Sequence, residues 1–81
     1  MRYRIEQNPE YDPNGKVARP LLVHGPNLPP RKGSLRRNLT GTANIVRGHE
    51  VILEESTFSD SKLLKRLQSF LNKKSIEFTL V

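Results

Sequence analysis

Leu63, Leu64, Leu67, Phe70 and Leu71 fall at positions i, i+1, i+4, i+7 and i+8, the spacing that lines one face of an α-helix. No other segment offers an apolar surface of comparable size, so the core of this chain must be built against that stripe. Thr57, Ser59, Asp60 and Ser61 precede it as N-cap candidates, and Lys73 and Lys74 follow where a helix C-terminus favours positive charge. The spacing predicts a helix over residues 60–73, with Lys62, Lys65, Arg66, Ser69, Asn72 and Lys73 on its outer side. A cationic row of this kind is ordinarily the solvated face of a helix.

The remaining elements read as short strands. Tyr3 and Ile5 alternate with Arg2, Arg4 and Glu6, which predicts a half-buried strand over 2–7 ending at Asn8-Pro9. Asp12-Pro13-Asn14-Gly15 then supplies turn chemistry. Pro20 cannot donate to a ladder, so 17–24 reads as an edge strand or an extended arm. Gly25-Pro26-Asn27-Leu28-Pro29-Pro30 favours polyproline-like backbone, and residues 17–33 are expected to order against a neighbour. Residues 39–55 read as a hairpin with a three-residue loop of Arg47, Gly48 and His49, Gly48 at positive φ. That register sets Ile45 opposite Val51 and Ala43 opposite Leu53 on one apolar face. Ile76, Phe78 and Leu80 predict a final strand over 76–81.

The expected class is α+β: a small antiparallel sheet, made of the hairpin 39–55 and the C-terminal strand 76–81, packed on one amphipathic helix, 60–73. An extended Pro-rich N-terminal half completes it. The expected division is a strand and arm over 1–33 and a compact ββαβ core over 34–81. The expected core contains Ala43, Ile45, Val51, Leu53, Leu63, Leu67, Phe70, Leu71, Phe78 and Leu80.

With 81 residues the chain has room for one core. Cys is absent, which removes disulfides, thiolate chemistry and Cys-based zinc sites together. The longest apolar runs, Leu21-Leu22-Val23 and Val51-Ile52-Leu53, are far too short to span a bilayer, and the first ten residues carry Arg2, Arg4, Glu6 and Glu10 in place of a secretory apolar segment. No membrane partner and no export by a signal peptide are expected.

Side-chain catalysis needs a nucleophile beside a base, a carboxylate pair in a cleft, or a held metal. No such pattern is visible, so no catalytic residue, no cofactor and no metal ligand is assigned, and the chain is expected not to be an enzyme. His24 and His49 lack a second imidazole at helical spacing and read as surface or edge-strand residues. The net charge of +6 is local: no acid lies between Asp12 and Glu50, while Lys16, Arg19, Arg31, Lys32, Arg36, Arg37 and Arg47 do. Arg31, Lys32, Arg36 and Arg37, with Ser34 and Asn38 between and beside them, are the candidate partner-binding residues. They suit phosphate contacts; the plainer reading, which is preferred, is a solvated loop or cations pairing with carboxylates of a neighbouring subunit. No aromatic residue interleaves them to stack bases.

Ser34-Leu35-Arg36-Arg37-Asn38-Leu39-Thr40-Gly41, a strand ending Val51-Ile52-Leu53-Glu54, a Leu-rich helix and a closing Glu77-Phe78-Thr79-Leu80-Val81 follow in order. In this respect residues 34–81 resemble modules of small tail and baseplate proteins of tailed bacteriophages. The resemblance implies a structural component of a virion tail, neck or capsid-associated assembly, with other protein subunits as partners in multiple copies. It implies location in a virion or the host cytoplasm and brings no site residues with it. The alternative expectation is a small basic nucleic-acid-binding protein acting through phosphate contacts.

Overall fold

The computed structural model describes residues 2–12, 14, 20–25 and 34–81, with backbone alone for Ser34, Leu35 and Arg36. In chain order they form β1 (Arg2–Gln7), β2 (Leu21–His24), β3 (Ser34–Arg37), α1 (Leu39–Val46), β4 (Glu50–Leu53), a 3-10 turn (Glu55–Thr57), α2 (Ser61–Lys73) and β5 (Thr79–Leu80). The class is α+β. The strands make one sheet in the order β3-β2-β1-β4-β5.

That sheet is mixed, not antiparallel. β3, β2 and β1 run antiparallel to one another, whereas β4 lies parallel to β1 and β5 parallel to β4. The expected hairpin over 39–55 is replaced by a helix and a strand. Asn38 caps α1, its Oδ1 accepting from the Gly41 amide at 2.7 Å, and Leu39, Thr42, Ala43 and Val46 recur at i, i+3, i+4 and i+7. Thr42, Ala43 and Val46 are buried. Ile45 therefore has no strand partner, and Val51 and Leu53 pair with Tyr3 and Ile5. Gly48 does have φ +80°, in the connection from α1 to β4. A parallel neighbour requires a crossover, and α2 supplies it between β4 and β5.

β2 is an interior strand, contrary to the edge or arm expected of 17–24. Pro20 sits just before it, where the missing N–H removes no ladder bond, and the Pro20 carbonyl accepts from the Asn8 amide at 2.7 Å. Within the expected arm, residues 21–24 are thus sheet; residues 17–19 and 26–33 lie outside the described residues. Gly25 follows β2 against β1, so closely that a Cβ there would run into the Tyr3 ring. The β1–β4 and β2–β3 ladders both cross the boundary expected at residue 33. Residues 34–81 run strand, helix, strand, helix, strand in place of ββαβ.

β1 matches its predicted limits. α2 ends where expected and starts one residue later, with Asp60 as its N-cap accepting from the amides of Lys62 at 3.0 Å and Leu63 at 3.3 Å. At the other end Ser75 adopts φ 60°, and the Ile76 amide donates to the Leu71 carbonyl at 2.9 Å, a Schellman closure. That closure turns Ile76 into the core, so the final strand is β5 alone and not 76–81.

The core joins Tyr3 and Ile5 of β1, Leu21 and Val23 of β2, and Val51 and Leu53 of β4 to Ala43, Val46, Leu63, Leu67, Leu71 and Ile76. Alternate strand residues and both helices meet in this one cluster, so α1 and α2 lie on the same face of the sheet. Of the expected core, Ile45, Phe70 and Phe78 are only partly buried, and Leu80 is 42% exposed on the marginal strand β5. Among the described residues no helix is long and apolar enough to cross a membrane.

Candidate interaction surfaces

The face of the sheet opposite the helices carries Arg2, Arg4 and Glu6 from β1, Leu22 and His24 from β2, and Glu50 and Ile52 from β4. Each is the alternate neighbour of a core residue. Among the described side chains of β1, β2 and β4 the charges are matched. Arg2 Nε donates to Glu50 Oε1 at 2.8 Å, and that hydrogen bond, followed by the carboxylate's charge, raises the Arg2 pKa above its ordinary value. Arg4 Nε stands 3.6 Å from Glu6 Oε1 and 3.4 Å from Glu54 Oε1. His24, expected at an edge, is on an interior strand with Nε2 2.8 Å from Glu6 Oε2. Exposed pairs of this kind contribute little to stability, because solvent screens them, and they matter here for local neutrality. Leu22 and Ile52 are half-buried among them.

The outer side of α2 is the opposite case. Lys62, Lys65, Arg66 and Lys73 are all exposed, no acid occurs between Asp60 and Glu77, and among the described residues none of the four makes an ion pair. Positions 62, 65, 66, 69 and 73 form one stripe, and Phe70 sits at its border with the buried row of Leu63, Leu67 and Leu71. There the first residue of α1 meets α2. Leu39, Lys65, Arg66, Ser69, Phe70 and Lys73 line a shallow groove of about 410 Å³ whose floor is Leu39 and Phe70, both half-buried. The Lys74 ammonium stands 5.6 Å from the Phe70 ring centroid, a cation–π contact.

Of the four residues singled out in sequence, Arg31 and Lys32 lie outside the described residues. Arg36 and Arg37 belong to edge strand β3, in register with Leu22 and Leu21, and so are not loop residues. Arg37 is half-buried against the first turn of α1, and its Nε is buried with no hydrogen-bond partner. The groove is not legible in sequence, because a hairpin over 39–55 puts Leu39 on a strand, whereas it is the first residue of α1. Its one legible sign was the cationic stripe with no acid inside it.

A second depression is lined by Arg47, Gly48, His49, Lys74, Ser75, Ile76 and Glu77, and no hydrogen bond joins its Ser75, His49 and Glu77 side chains. The His49 ring instead packs against Tyr3, with centroids 5.2 Å apart. Among the described residues no group of three His, Asp or Glu is placed to hold a metal ion. Comparison with protein-family models, with curated proteins and with solved structures gives no match.

Proposed function

We propose that the chain is a non-enzymatic structural component of a larger protein assembly. The bare face of the sheet carries this reading. Where Arg2 and Arg4 already face carboxylates, the surface can be covered by another protein without stranding those charges, and Leu22 and Ile52 supply apolar contact within it. Among the described residues that face holds no Phe, Tyr or Trp on which bases would stack, which argues against its use as a nucleic-acid platform. The setting of a tailed-phage virion comes from the sequence resemblance of residues 34–81, and the helix over 39–46 departs from the strand that resemblance called for.

A second reading, phosphate-directed nucleic-acid binding, is favoured by one observation: the unpaired cations of α2. Light scattering on a size-exclusion column, with and without duplex DNA and over a range of salt, separates the two. The assembly reading expects a mass that is a multiple of 9.3 kDa, with DNA affinity at the non-specific level of about 10⁻⁴ to 10⁻⁶ M at physiological salt. A protein that stays monomeric at every concentration and binds DNA well below micromolar, with affinity falling steeply in salt, would overturn it.

A further inference from the structure

We infer that the groove between the start of α1 and the outer side of α2 is a docking site for an acidic, amphipathic segment of another protein. The inference rests on the assembly reading above and names one class of partner for it. Two properties of the groove converge on that occupant. Lys65, Arg66 and Lys73 stand around it without carboxylates, so the site favours negative charge. Its floor is apolar, formed by the half-buried Leu39 and Phe70. Duplex nucleic acid would bring phosphodiesters to the cations and leave that floor covered by nothing apolar, and the face of the Phe70 ring, on which an unpaired base would stack, already has the Lys74 ammonium over it at 5.6 Å. A peptide with Leu-like anchors on one side and Asp or Glu beside them satisfies both, in the manner of a helix laid into a groove.

The chain itself is a poor source of such a segment. Neither α1 nor α2 carries an Asp or Glu, Glu6, Glu50 and Glu54 are held in ion pairs, Asp60 caps α2, and the exposed Glu55 and Glu77 lie outside both helices, so among the described residues the chain has no acidic amphipathic helix to offer. The occupant is therefore a different protein, with the groove acting as the charged counterpart of the neutral sheet face.

The test is a titration of the isotope-labelled full chain, followed by amide chemical shifts, with three probes. One is a synthetic helical peptide with Leu along one face and Glu flanking it; the second replaces each Leu by Ser; the third is a single-stranded oligonucleotide. The first peptide is expected to shift Leu39, Lys65, Arg66, Ser69, Phe70 and Lys73 and to spare β1 and β2. The Ser peptide is expected to bind about tenfold more weakly, and so is the first peptide against the exposed double variant Lys65→Glu, Arg66→Glu. Equal binding of the Ser peptide would reduce the site to charge alone and overturn the inference. So would tighter binding of the oligonucleotide than of the first peptide, or the same shifts appearing on concentrating the chain alone, which would make the occupant nucleic acid or a second copy. If the protein assembles by light scattering yet leaves the groove unmoved by the first peptide, the docking site fails and the assembly reading stands.

Discussion

The two helices sit side by side on one face of the sheet, and they are specified in different ways. In α2 every local signal agrees: Asp60 caps it, Leu63, Leu67 and Leu71 are fully buried at helical spacing, and Lys73 lies in its last turn. In α1 the signals conflict. Asn38 is a good cap and 39, 42, 43 and 46 keep helical spacing, but one of the buried positions is Thr42, whose hydroxyl has no hydrogen-bond partner, and Thr40, Ile45 and Val46 are residues that strands favour. Thus α2 is a helix by its own sequence, whereas α1 depends on packing against β2, β3 and α2.

The most damaging change to the well-specified helix is Leu67→Ala. Leu67 is fully buried at the centre of the stripe, so truncation is expected to lower the unfolding free energy by about 2–5 kcal/mol. A loss under about 1 kcal/mol in chemical denaturation would mean that α2 does not anchor the core. Thr42→Val tests the weaker helix from the other direction, since it keeps the shape and removes a buried hydroxyl without a partner. It is expected to stabilise by about 1 kcal/mol, and a destabilised variant would show that the hydroxyl is engaged after all.

Asn38→Ala removes the 2.7 Å bond to the Gly41 amide and is expected to cost about 1 kcal/mol. Hydrogen exchange should report the loss as faster exchange in α1 than in α2; uniform acceleration across both would erase the contrast between them. The smallest effect is expected at the end of α2. Ser75 holds φ 60°, which glycine adopts freely, so Ser75→Gly should raise the thermal midpoint by the equivalent of about 0.5–1 kcal/mol. An unchanged midpoint would indicate that the left-handed cap is not strained.

The same contrast explains how much of the candidate site was legible. The cations of α2 stood out in sequence because a helix of period 3.6 places residues 62, 65, 66, 69 and 73 together without help from any other element. The groove did not stand out. It needs Leu39 beside Phe70, two residues from helices separated by a strand and a turn, and assigning Leu39 to a hairpin dispersed the pair. The matched charges of the open face were hidden for a similar reason: Arg2 and Glu50 are far apart in the chain and meet only because β1 and β4 pair in parallel.

Features that depend on neighbours within a few residues are legible in the chain alone. Alternation of Tyr3 and Ile5 with charged residues set β1 to its last residue at Gln7, and cap plus stripe set α2. A glycine in the sharp connection at residue 48 was marked for positive φ whatever elements flanked it. The other elements depend on long-range packing. Leu39–Val46 could satisfy its backbone hydrogen bonds as a strand or as a helix, and the choice was made by burying Thr42, Ala43 and Val46 on the sheet. Once that segment was a helix, β4 emerged beside β1 and parallel to it, and β2, whose Pro20 suggested an edge, was enclosed between β1 and β3. A proline immediately before a strand costs no ladder bond. Its meaning therefore depends on a register that only the folded sheet supplies.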